Sequence, residues 1–155
     1  MPTDVTPDEI VGVAVQLEEA GKEFYEQAAK ITAETKSLFE NLARAEARHI
    51  QLFRQMESRS RVSAGGPAFE YLINLMMTGP IASLRESGKL AEMPLNLDEA
   101  LDLAVKFEKD TILFFGGLID LLSSSAAETT QKIVSEEKRH LLAVIENRKK
   151  YQARR

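Results

Sequence analysis

The sequence predicts an all-α fold: a four-helix bundle of two helical hairpins joined by a long crossover that contains short helices. Four long stretches without internal proline repeat their apolar residues at helical spacing. No stretch sustains the period-two alternation of a half-buried strand. The links are unequal, two short and one long, which matches a bundle whose hairpins are joined by a single long connection. At 155 residues the chain suits one domain, 1–155, with the crossover 59–96 inside it.

The first stretch runs from about Pro7 to about Ile31. Thr6 can cap it, with Pro7 at the first helical position and Glu9 closing a capping box. The second runs from about Ser37 to about Ser58, after a short turn near Thr32–Lys36. The third, from about Leu97 to about Leu122, has Asn96 as cap and Glu99 as its partner. The fourth, from about Ala126 to about Tyr151, has Ser125 and Glu128 in the same roles. The crossover holds Gly65-Gly66-Pro67, an apolar piece (Phe69, Tyr71, Leu72, Leu75, Met76), then Gly79-Pro80 and a second short helical piece. Its apolar piece should pack on the bundle or on a second subunit. Gly116-Gly117 lies inside the third stretch, where each glycine costs about 1 kcal/mol against alanine. A close helix crossing or a local kink would account for it.

Composition removes several classes of chemistry. There is no cysteine, so disulfides, thiolate zinc sites, iron–sulfur clusters and a cysteine nucleophile are excluded. A net charge of −4 argues against a nucleic-acid partner. No apolar run reaches the roughly 18 residues of a membrane span. The acidic start Met-Pro-Thr-Asp-Val-Thr-Pro-Asp-Glu lacks the apolar centre of a signal peptide, which leads us to expect a cytoplasmic protein. Gly65-Gly66 and Gly116-Gly117 lack the pattern of a phosphate loop. The basic end, Arg148-Lys149-Lys150 and Arg154-Arg155, suits a helix C-terminus better than an anionic partner.

The two hairpins repeat each other. Glu18-x-x-Gly21-x-x-Phe24-Tyr25 in the first stretch returns as Glu108-x-x-Thr111-x-x-Phe114-Phe115 in the third, 90 residues on. Glu46-Ala47-Arg48-His49 in the second returns as Glu137-Lys138-Arg139-His140 in the fourth, 91 residues on. Both histidines of the chain therefore stand three residues after a glutamate. Duplicated hairpins with a shared core pattern would repeat as well, so the helix face decides. Glu18 shares its face with Val11, Ala14, Gly21, Tyr25 and Ala28; Glu108 shares its own with Leu101, Ala104, Thr111, Phe115 and Leu118. Glu46 and His49 lie among Phe39, Leu42, Ala43, Ile50 and Phe53. Glu137 and His140 lie among Ile133, Val134, Leu141 and Val144. Glu19, Glu23 and Glu26 follow a separate polar line.

An unpaired carboxylate in an apolar interior is disfavoured by on the order of tens of kcal/mol in the Born limit, and would take up a proton instead. Four meeting in one bundle need positive charge. Two neutral histidines do not supply it, and Lys22, the nearest cation, is one charge against four. Two divalent or trivalent metal ions would. Oxygen and imidazole ligands without thiolate suit iron, manganese or zinc. One glutamate from each of two helices, plus Glu-x-x-His from each of the other two, is the set found in di-iron and di-manganese carboxylate bundles.

The phrases Leu17-Glu18-Glu19-Ala20-Gly21-Lys22-Glu23-Phe24-Tyr25, Ala45-Glu46-Ala47-Arg48-His49-Ile50, Phe107-Glu108-Lys109-Asp110-Thr111-Ile112-Leu113-Phe114-Phe115 and Ser135-Glu136-Glu137-Lys138-Arg139-His140 resemble the ferritin-like superfamily, and more closely its rubrerythrin-like branch. The resemblance covers nearly the whole chain and is least diagnostic near Pro67–Pro94. It implies two non-haem iron ions, with manganese or zinc as substitutes. Glu18 and Glu108 would each bind mainly one ion, Glu46 and Glu137 would bridge the pair, and His49 and His140 would each complete one shell. Tyr25 would stand beside the cluster as a hydrogen-bond donor, or serve only as a core aromatic; Phe115 holds the equivalent place in the other half.

Two departures from the branch matter. Full-length rubrerythrins carry a cysteine-rich rubredoxin module, which this chain cannot form. Many also have an extra glutamate three residues after the third-helix ligand, where this chain has Thr111. The resemblance implies an oxidoreductase active in oxidative stress, reducing peroxide or dioxygen with electrons from an external donor such as a separate rubredoxin-like protein. Ferrous oxidation for storage or detoxification is the alternative, and a zinc-holding or metal-free scaffold is a third. A homodimer or larger homo-oligomer is expected, with neither nucleic acid nor membrane as partner.

Overall fold

The computed structural model describes residues 6–57, 65–77 and 96–154. They form five helices: α1 (Pro7–Ala28), α2 (Lys36–Glu57), α3 (Gly66–Met76), α4 (Leu97–Ile119) and α5 (Ser124–Ala153). No strand occurs among the described residues. The all-α expectation holds, with α1 packed on α2 and α4 packed on α5 as two hairpins that meet through α1–α4 and α2–α5. The N-terminal residues 1–5 and most of the crossover, 58–64 and 78–95, lie outside the described residues, and with them the short helical piece expected after Gly79-Pro80.

The helix starts follow the sequence closely at two of three places. Thr6 Oγ1 accepts the Glu9 N–H at 3.3 Å while the Glu9 carboxylate accepts the Thr6 N–H at 2.6 Å, so the expected box is complete. Asn96 Oδ1 accepts the Glu99 N–H at 3.0 Å. Ser125 is not the cap of α5. That place belongs to Ser123, whose carbonyl accepts the Ala127 N–H at 2.8 Å, and Ser125 lies in the first turn with its own carbonyl bound by Thr129 Oγ1. Three consecutive serines all suit a cap, and the backbone uses the first.

The helix faces that carry the repeat are the core. Phe24, Tyr25, Phe39, Phe53, Phe114 and Phe115 are each at most 1 % exposed. Burial of an aromatic ring of this kind stabilises the fold by about 1.5–3 kcal/mol. The polar line Glu19, Glu23 and Glu26 is exposed, as its spacing requires.

The crossover's apolar piece is α3, and it packs on α4. Leu72, Ile73 and Met76 are buried, while Tyr71 remains 44 % exposed. The contact explains one of the paired glycines. A Cβ on Gly117 would fall 2.9 Å from Leu72 Cδ2 and 3.0 Å from Tyr71, so a larger residue would force these α3 side chains to shift. A Cβ on Gly116 would meet nothing within 4 Å. The close crossing therefore accounts for Gly117 alone.

At the C-terminus the basic run is matched by acids of the fold. Arg148 meets Asp102 at 3.2 Å, Lys150 meets Glu146 at 3.2 Å, and Arg154 pairs with Glu34. Among the described residues no helix is long and apolar enough to cross a membrane.

Candidate metal centre

Each of the four long helices delivers its charged residues from the middle of an apolar face. Glu18 comes from α1, Glu46 and His49 from α2, Glu108 from α4, and Glu137 and His140 from α5. The four glutamates are 0 % exposed, His49 is 1 % exposed, and the His140 side chain is 14 % exposed. They converge as two overlapping groups. Glu18, Glu46, His49 and Glu137 offer ligand atoms within 4.8 Å of one another, and so do Glu46, Glu108, Glu137 and His140. Glu46 and Glu137 belong to both.

The imidazoles face the carboxylates through Nδ1. His49 Nδ1 is 3.0 Å from Glu137 Oε1, 3.2 Å from Glu18 Oε2 and 3.9 Å from Glu46 Oε2. His140 Nδ1 is 2.9 Å from Glu137 Oε2 and 4.0 Å from Glu108 Oε1. The rings stack with centroids 6.1 Å apart. Among the described residues, no lysine or arginine forms an ion pair with any of the six; Lys22 turns outward to Glu26 at 2.9 Å.

What remains is an electrostatic problem that the side chains do not solve themselves. Glu18 Oε1, both oxygens of Glu46, Glu108 Oε2 and Glu137 Oε1 are buried without a hydrogen-bond partner; the 3.0 Å approach of His49 to Glu137 Oε1 is too poorly aligned to count as one. Burial, reinforced by the charge of Glu137, pushes the Glu18 and Glu108 carboxyls well above their ordinary range. Burial also opposes charge on Glu137, but contacts with His140 and His49 outweigh it and hold this carboxyl below the usual range. For His49, desolvation works against the imidazolium, and contacts with Glu137 and Glu18 overcome it, raising the group to about 10. Protons thus do part of the balancing when no cation is present. Oxygens without donors, two Nδ1 atoms aimed inward and the absence of thiolate are the donor set of iron, manganese or zinc, so the residues fit a pair of such ions.

Tyr25 joins this cluster as a donor. Its hydroxyl gives a hydrogen bond of 2.5 Å to Glu108 Oε1, across from α1 to α4. Burial and the neighbouring Glu108 raise the phenol well above its ordinary value, so it keeps its proton. Phe24, Phe39 and Phe107 pack around the ring at centroid distances of 5.3, 6.0 and 6.0 Å. Phe115, in the matching place, has no hydroxyl and packs on Phe53 at 4.9 Å.

The profile of the rubrerythrin family matches residues 9–144. The chain belongs to the rubrerythrin family. A crystal structure described as a ferritin-like diiron-carboxylate protein from Thermotoga maritima is similar to it, at 28 % identity and a TM-score of 0.67, with 94 % of this chain and 95 % of that chain covered. No curated protein shows significant similarity. The match agrees with the ferritin-like bundle expected from the repeat.

Thr111, where many rubrerythrins place a further glutamate, is fully buried and donates its hydroxyl to the Glu108 carbonyl at 3.0 Å. It offers no carboxylate to the cluster. Gly21, the matching position in the first hairpin, makes room for Phe107, whose ring would stand 2.5 Å from a Cβ there. The centre also holds a participant absent from the sequence expectations. Glu136 Oε2 lies 3.1 Å from His49 Nε2, Glu136 Oε1 lies 3.7 Å from His140 Nε2, and Arg48 meets Oε1 at 2.5 Å. Its carboxyl is held low: burial opposes this, and His49, Arg48 and His140 outweigh it. The available signal was its place four residues before His140 on the same helix face.

Proposed function

We propose that the protein is a non-haem di-iron oxidoreductase that reduces peroxide or dioxygen with electrons from an external donor, such as a separate rubredoxin-like protein. The observation that carries this is the pair of overlapping groups, four glutamates and two histidines, whose buried oxygens have no hydrogen-bond donors. Glu18 and His49 would hold one ion, Glu108 and His140 the other, and Glu46 and Glu137 would bridge them. Two ferrous ions bound there would supply together the two electrons that cleavage of an O–O bond requires.

The chain's own residues set the conditions for that chemistry. Four carboxylates offset the ionic charge in a medium where each interaction is strong. Phe24, Phe39 and Phe107 pack around Tyr25 and Phe53 packs on Phe115, all of them buried in the same core. Tyr25 donates its hydroxyl proton to Glu108 Oε1 across an oxygen–oxygen distance of 2.5 Å and fixes that carboxylate's orientation. The His140 side chain is more exposed than that of His49, and a small oxidant would reach the centre from its side. A reducing cytoplasm, where ferrous iron and reduced donors are available, suits this reaction, and a homodimer is the assembly we expect.

Ferrous oxidation for storage or detoxification is the alternative, with Fe(II) as substrate. Thr111 favours it, because the further carboxylate of many rubrerythrins is missing. Anaerobic reduction of the iron-loaded protein followed by stopped-flow mixing with peroxide, and separately with air, tests the main proposal. Oxidation of the site within seconds is expected, faster with peroxide; no oxidation by either would overturn it. Light scattering separates the alternatives: a dimer favours peroxide or dioxygen reduction, whereas a 24-subunit shell favours storage.

A further inference from the structure

The outer nitrogens of the two imidazoles face a single carboxylate. His49 is on α2 and His140 on α5, yet their stacked rings bring both Nε2 atoms to Glu136, one to each of its oxygens. The matching position in α2 is Ala45, which is buried and offers nothing. Glu136 is itself held from the surface side by Arg48, a residue of the opposite hairpin whose side chain is 61 % exposed.

We propose that Glu136 is a positioning residue shared by both halves of the centre: its carboxylate accepts the Nε2–H of His49 at 3.1 Å and, by closing a 3.7 Å gap when the centre is loaded, that of His140, and thereby turns both Nδ1 atoms toward the carboxylate cluster. This rests on the metal reading given above and extends it to a residue outside the six. The geometry supplies the reason. An imidazole that binds a cation through Nδ1 must carry its proton on Nε2, and a buried N–H without an acceptor is costly. A carboxylate acceptor fixes both the tautomer and the ring plane, and its loss typically weakens metal binding 10–100-fold. A second acid at position 45 would bring like charges together behind the same pair of rings. Arg48 restrains the one acid that is present, and its charge offsets that of Glu136 where the histidines do not.

Zinc(II) is a suitable probe, being diamagnetic and redox-inert. Affinities for two zinc ions come from competition with a chromophoric chelator, and the imidazole protons from NMR of the 15N-labelled, zinc-loaded protein. In the wild type we expect two exchange-protected Nε2–H signals. Glu136→Ala should weaken both ions by roughly 10–100-fold and abolish both signals. In Glu136→Gln the amide oxygen can accept from one ring while its NH2 group meets the other N–H, so at least one ion should weaken, and unequally if the amide settles in one orientation. Loss of only one ion in Glu136→Ala, or unchanged affinities, overturns the shared role. Should Glu136→Ala fail to fold, as judged by circular dichroism, the near-isosteric Glu136→Gln decides, and unchanged affinity and unchanged Nε2–H signals there overturn the proposal. A wild type that binds fewer than two zinc ions would instead overturn the metal reading, and this inference with it.

Discussion

Hairpin α1–α2 and hairpin α4–α5 carry the same three ligand types in the same order, yet they surround them differently. His49 is enclosed, with Glu18, Glu46 and Glu137 around its Nδ1 atom, whereas the His140 side chain is 14 % exposed and its Nδ1 atom approaches closely only Glu137. Tyr25 grows from the first hairpin but serves Glu108 of the second, and Phe115 returns nothing to Glu18. Glu136 stands in the second hairpin where the first has Ala45. Repetition has thus kept the six groups that converge in the centre and released the residues around them. A duplicated fold has two copies of every position, but the space around its pseudo-symmetric centre exists once, so one phenol can reach across it and one outer carboxylate can face both imidazoles.

The largest effect should come from the two residues common to both groups. Replacing Glu46 and Glu137 together by Gln should take the protein from two bound ions to none, read as metal content after iron-supplemented expression. Singly, Glu137→Gln should do more damage, because Glu137 lies within 3.0 Å of both imidazoles and Glu46 is 3.9 Å from His49. Equal losses would show that the two bridging positions are equivalent after all.

Next is the response of the metal-free protein to pH. His49 is raised to about 10, so its contribution is complete below about 6.5 and is lost as pH rises toward 10. Glu18 and Glu108 are raised too, and their contribution fades as pH climbs through and above the ordinary carboxylate range. Glu137 and Glu136 are lowered and lose their contribution only on acidification. The melting temperature of the metal-free protein should therefore fall by several degrees between pH 6 and pH 9.5, at roughly 2–4 °C per kcal/mol for a chain of this size. The zinc-loaded protein should lack the trend, since its ligands hold cations in place of protons.

Tyr25→Phe would make the two hairpins alike at that position. It leaves Glu108 Oε1 without its donor and should cost about 1–3 kcal/mol in urea unfolding of the metal-free protein; a neutral result would reduce Tyr25 to a packing ring. Gly21→Ala forces the Phe107 ring to move and should cost a similar 1–3 kcal/mol. Gly116→Ala in the second hairpin meets no neighbour and should gain up to about 1 kcal/mol by helix propensity. If Gly21→Ala were also stabilising, Phe107 would not be wedged against α1.

The residues that meet in the centre were legible because each breaks a periodic apolar stripe, and an unpaired acid in such a stripe requires an explanation. Glu136 was not legible by the same rule. It lies on a flank that is only partly buried, where a charged side chain is ordinary, and its role comes from the approach of α2, which no local pattern in α5 encodes. The paired glycines marked an anomaly without its cause: whether Gly116 or Gly117 meets α3 depends on the angle at which the crossover returns. The start of α5 was misplaced because Ser123, Ser124 and Ser125 all suit a cap, and tertiary packing settles which one serves.

Each ligand group takes three members from one hairpin and a fourth from the other: Glu137 completes the first, Glu46 the second. Neither half of the chain can therefore retain an ion by itself in this geometry. Bound cations would act as rivets between two units that otherwise meet only along narrow seams, and the vulnerable line on demetallation is that joint, not the interior of either unit. Hydrogen exchange would open first where α1 faces α4 and α2 faces α5, while each pair of neighbouring helices stays closed.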